Sequence, residues 1–149
     1  KFFVVAVILA IFMVCFSFSA LAAGEETLPY GWYEVGSFSF TNYNLTPQKT
    51  VPGRYLALSI LYSKPTWDAG IGDVKLTIDV RDANTGVSIT GKMDFGKVSD
   101  GNIKSFTQPV IDLGYSGRKI QIWFDASSAG VSNGNYRSLT IHSFRTYVE

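Results

Sequence analysis

Val74-Lys75-Leu76-Thr77-Ile78-Asp79-Val80-Arg81 sets an aliphatic residue at every second position and a polar one between. A β-strand turns successive side chains to opposite faces, whereas an amphipathic helix needs apolar residues three and four apart. The segment therefore reads as a strand with Val74, Leu76, Ile78 and Val80 in a core. Lys75, Thr77, Asp79 and Arg81 are expected to face water, the pattern of an antiparallel sheet wet on one side. On this reading Ile78→Asp unfolds the domain and Thr77→Asp is nearly silent.

The same period recurs on both sides. Arg54–Tyr62 alternates Leu56, Leu58, Ile60 and Tyr62 with Tyr55, Ala57 and Ser59. Trp32–Tyr43 sets Phe38 and Phe40 against Ser37, Ser39 and Thr41. Val87–Phe95 has Ile89, Met93 and Phe95 in phase. Ile103–Gln108 and Pro109–Leu113 form one strand or two. Pro109 cannot donate to a ladder, so it marks an edge, a bulge or a break. Arg118–Ala126 turns Ile120, Ile122 and Phe124 inward. Arg137–Val148 starts with Leu139 and Ile141 in phase and slips to Phe144, which predicts a bulge near His142-Ser143. Gly-, Pro- and Asn-rich connectors such as Val51-Pro52-Gly53 and Asp82–Gly86 separate the segments. About eight strands at this spacing, with no helical period after Gly24, predict an all-β, antiparallel two-sheet sandwich of jelly-roll type, one domain over 23–149.

Residues 2–16 are almost wholly apolar after Lys1, and Ala20-Leu21-Ala22 follows a run of small residues. This is the layout of a signal peptide, expected as a helix over 1–22 with cleavage after Ala22 or one residue later. The numbering opens on Lys1, so the precursor is expected to carry a residue or two before it. Membrane contact is then confined to the uncleaved precursor, and the mature chain is secreted. Its one Cys, Cys15, lies inside the apolar block, so disulfides are not expected to hold the mature domain.

Thirteen basic and twelve acidic residues give a net charge of +1, and Lys1 supplies the excess. Net zero over the mature chain lacks the basic footprint of nucleic-acid binding. A single His, His142 in a strand, and no G-x-S-x-G speak against nucleophilic catalysis. No coupled carboxylate pair stands out for glycoside hydrolysis. A hydrolase is the least favoured reading, and no enzymatic turnover is expected. Asp68-Ala69-Gly70-Ile71-Gly72-Asp73 sets two carboxylates around glycines and backbone carbonyls, so Asp68 and Asp73 are candidate ligands for a structural calcium. No other cofactor is expected.

Aromatic residues make up 15% of the chain, with 3 Trp and 8 Tyr. Most belong to the core. Trp123 falls out of phase with Ile120, Ile122 and Phe124 and shares a face with Lys119 and Gln121. Its indole is expected to stand on the outer face as a flat platform, with Lys119 and Gln121 orienting a ligand and Trp67 contributing from its loop. Such a platform suits a sugar ring or a protein hot spot. An exposed Trp123 implies that Trp123→Ala leaves the melting temperature almost unchanged.

Residues 23–149 resemble the jelly-roll accessory modules of secreted bacterial proteins in their run of strand-like segments, the Gly-rich turn before Arg118–Asp125 and the final Arg137–Val148 strand. The resemblance implies carbohydrate binding, often with a structural calcium, and carries over no individual site residue. The favoured function is a secreted, non-enzymatic module for a glycan or a cell-surface protein. The alternative is a structural subunit of a matrix, coat or filament. Such a homo-oligomer could assemble by lending Glu25–Gly36 to a neighbour's sheet.

Overall fold

A computed structural model describes residues 26–65, 72–99, 101–128 and 137–149. Ten strands run in chain order: β1 Glu26–Thr27, β2 Gly31–Thr41, β3 Tyr43–Leu45, β4 Lys49–Val51, β5 Tyr55–Ser63, β6 Val74–Asp82, β7 Met93–Val98, β8 Ile103–Asp112, β9 Arg118–Ser128 and β10 Ser138–Val148. The larger sheet has the order β1-β4-β9-β6-β7, with β3 also on β9. The smaller is β2-β10-β5-β8. Apart from the parallel β1–β4 pair, neighbours are antiparallel.

The alternating segments build this arrangement directly. Val74, Leu76, Ile78 and Val80 of β6 are fully buried, as are Ile120 and Phe124 of β9. Leu56, Leu58, Ile60 and Tyr62 of β5 face them from the other sheet. Phe124 is edge-on to Phe38 at 5.1 Å and to Phe144 at 5.3 Å, so one ring of the larger sheet joins two strands of the smaller. Tyr62 donates from its hydroxyl to the Phe95 carbonyl at 2.6 Å, and burial pushes its phenol up to about 12.

Several expectations need correction. Ten strands replace about eight, because β1, β3 and β4 have two or three residues each, too few to show alternation. Trp32–Tyr43 is two strands. Asn42 takes a φ of 64°, the only positive φ on a residue other than glycine among the described residues, and passes the chain from the smaller sheet to the larger. Its Oδ1 accepts from the Arg137 backbone at 3.2 Å. Val87–Phe95 is mostly loop, with only an isolated bridge at Ser88 before β7 begins at Met93. The 103–113 region is one strand at the sheet edge, and its register slips between Gln108 and Ile111, around Pro109. Glu26–Thr27 and Gly31–Gly36, within the segment considered for donation, pair with β4 and β10 of the same chain.

The bulge expected near His142-Ser143 is present, and it has a partner. Phe144 pairs with Gly36, and the register shifts on both sides of that pair. Gly36 has a φ of 144°, which an L side chain rarely adopts. Before Gly36, β2 packs Tyr33 and Val35 on the core; after it, Phe38 and Phe40. β10 makes the same change, from Leu139 and Ile141 to Phe144 and Val148. Two facing bulges thus reverse the phase of both strands together.

Candidate ligand-binding face

β9 runs through the larger sheet, and burial of Ile120, Ile122 and Phe124 forces Lys119, Gln121, Trp123 and Asp125 outward. The neighbouring strands bring Leu45 and Asp79 into register with Trp123, Tyr43 with Asp125, and Arg81 with Gln121. The Tyr43 ring stacks on the indole at 5.1 Å with 16° between planes. The Arg81 guanidinium sits 4.4 Å over the same indole. Tyr43 is registered two positions after Trp123 on β9 and Arg81 two positions before it, so both reach the indole.

This corrects the free platform expected at Trp123. Its side chain is outward but half-buried, with the Tyr43 ring stacked on the indole and the Arg81 guanidinium over it. The open aromatic face belongs to Tyr43, which is 62% exposed, with Leu45 at 40% on the same strand. Sequence reasoning missed both. The only available signal was the polar Asn42-Tyr43-Asn44 context, which looks like a strand end.

Asp79 also departs from expectation. It occupies an outward position yet is 3% exposed. The loop after β6 folds back over it. Asp79 Oδ2 accepts from Arg81 Nε at 2.7 Å and Oδ1 from Ser88 Oγ at 2.6 Å, with Thr90 Oγ1 at 3.5 Å. A buried carboxylate persists only when its lone pairs are satisfied in this way. Asp82, buried where Asp82–Gly86 reverses the chain, accepts from the Asn84 and Thr85 backbones and from Arg118 Nε at 3.0 Å.

The other predicted residues separate. Gln121 donates from Nε2 to the Thr46 carbonyl at 3.2 Å, tying β9 to the chain after β3. Lys119 is half buried two positions before it. Trp67 and Asp68 lie outside the described residues. Asp73 is exposed and accepts from Ser99 Oγ at 2.7 Å. No three acidic, His or Cys residues converge as metal ligands among the described residues. His142 is exposed, with Nε2 2.7 Å from Ser63 Oγ.

The outer face of the smaller sheet holds a second aromatic cluster. Trp32 is 48% exposed, with Tyr147 5.4 Å away and the Arg145 guanidinium 5.1 Å over its ring. Arg145 Nε is 3.9 Å from Glu34 Oε2. The paired phase reversal turns Trp32 outward. Read in one phase with Phe38 and Phe40, it would have been core.

No family model matches the sequence, and no curated protein does. In fold the chain is similar to a structure of infectious bursal disease virus, Gt strain, with a TM-score of 0.51 at 11% identity over 78% of this chain and 33% of that one. A VP2 subviral particle of the same virus gives 0.50 at 12% identity over 77% and 31%. A xylan-binding module gives 0.46 at 11% identity over 79% and 90%. The chain spans about a third of the length of the viral chains it matches. At these identities the likeness is one of fold, and the fold is a jelly-roll-type β-sandwich.

Proposed function

We propose that the chain is an exported, non-catalytic module that binds glycan on the outer face of its larger sheet, with residues 1–22 removed as a signal peptide. The observation that carries this reading is the Tyr43–Trp123–Arg81 stack. It presents the open face of Tyr43, the edge of the indole and a held guanidinium on one surface. A flat apolar ring beside fixed hydrogen-bond donors is the chemistry that engages a pyranose.

The pairing of the carboxylates supports the non-catalytic part. Glu26, Glu34, Asp79, Asp82, Asp94, Asp112 and Asp125 each pair with a basic side chain. Lys49, Lys75 and Arg54 lower the carboxyls of Glu26, Asp94 and Asp112 respectively. Hydrogen bonds from Thr85, Arg118 and Asn84 outweigh burial and lower Asp82. A general acid for glycoside cleavage needs the opposite shift.

Affinity electrophoresis through gels containing neutral and acidic polysaccharides tests the reading. At least one polysaccharide should retard the protein. Tyr43→Ala should abolish the retardation and Trp32→Ala should leave it. Free migration in every gel overturns the proposal. The second reading is a coat or filament subunit, favoured by exposed Ile103 and Val110 on the edge strand β8. Elution of the mature protein as a monomer at high concentration overturns that one.

A further inference from the structure

Arg81 is held for a purpose its own contacts do not exhaust. Asp79, buried on the outer face, takes the guanidinium by Nε alone. Ser88 occupies the second Asp79 oxygen, so the carboxylate cannot swing out toward solvent. The guanidinium also lies over the Trp123 indole, with its central carbon 4.4 Å from the ring centroid. Nη1 and Nη2 donate to no group among the described residues, and the Arg81 side chain is 31% exposed. The result is a preorganised pair of terminal donors on the ligand-binding face, immobilised by a buried anion, a ring and a turn.

We propose that Arg81 reads a carboxylate, so that the glycan taken by this face contains uronic acid. This rests on the glycan reading above and adds its ligand class. A guanidinium presents parallel N–H groups that match the two oxygens of a carboxylate, and a hydroxyl can occupy only one of them. Asp79 acts as a positioning residue: its charge sets where the fork points without touching the ligand. A carboxylate at the sheet surface would have been left solvated were solubility its role. Here it is buried beneath the residue it orients.

The test compares oligogalacturonate with the same oligosaccharide methyl-esterified, which keeps the ring and removes the charge. Isothermal titration of the wild-type protein should show the free acid bound at least about tenfold more tightly, the scale of a charge-assisted pair, with affinity falling as salt rises. Arg81→Gln should bring the free-acid to ester ratio close to one. Asp79→Asn should lower that ratio while the melting temperature reports whether the sheet is intact. A merely structural Asp79 would weaken both ligands alike. Equal affinity for acid and ester, or tighter binding of neutral xylo-oligosaccharide, overturns this inference and leaves the glycan reading standing. Binding of a polyglutamate peptide as tightly as the uronate overturns the sugar part. If no oligosaccharide or polysaccharide binds, the glycan reading fails and this one with it.

Discussion

Trp123→Ala removes an indole that holds two partners, the Tyr43 ring and the Arg81 guanidinium. The stacked Tyr43 ring contributes about 0.5–1.5 kcal/mol beyond its area. The Arg81 guanidinium adds about 0.5–1 kcal/mol at a half-exposed site. The two contacts together contribute about 1–2.5 kcal/mol, and the partly buried area of the indole adds to that, against the ~3–5 kcal/mol of a large aromatic removed from a sealed core. At about 2–8 °C per kcal/mol for domains of this order, the melting temperature should fall by several degrees rather than stay fixed. Urea denaturation of the wild type, Trp123→Ala, Tyr43→Ala and the double variant isolates the stacking contact. The coupling between the two positions should be about 0.5–1.5 kcal/mol. Additive losses, with coupling inside about 0.3 kcal/mol, would refute the stack. An unchanged melting temperature for Trp123→Ala would restore the free platform read from sequence alone.

Ile78→Asp should prevent cooperative folding, because a carboxylate cannot be satisfied at a fully buried position between β7 and β9. Thr77→Asp should cost about 0.5–1 kcal/mol and not be silent, since Thr77 is registered with Asp94 on one side and Asp125 on the other; high salt should recover part of the loss. Gly53→Ala should detach the end of β10, because the added carbon would sit 2.3 Å from the Glu149 carbonyl oxygen, and faster amide exchange at Tyr55 and Glu149 would report it. Arg54 holds the Asp112 carboxyl down to about 2, below its unfolded value near 3.9. That ion pair stabilises the fold above about pH 4 and is lost as pH falls toward 2. Asp112→Asn should therefore show a shallower acid limb in a melting-temperature profile, and an identical limb would mean the pair is idle.

Fold and face were legible to different degrees. Val74–Arg81, Arg54–Tyr62 and Arg118–Ala126 each keep one phase from end to end, and each is a central strand whose inward face the structure buries. β2 and β10 change phase in mid-strand. The β10 slip was visible because Ile141 and Phe144 are both large, but the β2 slip rests on Gly36, which has no side chain to betray it. Trp32 was hidden by that glycine. The outward placement of Trp123 followed from strand period alone. Its covering did not, because Tyr43 comes from a three-residue strand and Arg81 is positioned by a carboxylate that alternation assigned to water. Period-two reasoning predicts which side of a sheet a residue takes and is silent on what a neighbouring loop lays over it.

The claim that the Tyr43–Trp123–Arg81 face is the binding face is tested most directly by mapping backbone amide shifts in nuclear magnetic resonance spectra as oligogalacturonate is titrated in. The largest changes should cluster at Tyr43–Leu45, Asp79–Arg81 and Lys119–Trp123, with the Trp32 and Tyr147 amides still. Changes centred on Trp32, Arg145 and Tyr147, with the Tyr43–Trp123–Arg81 face unmoved, would contradict it.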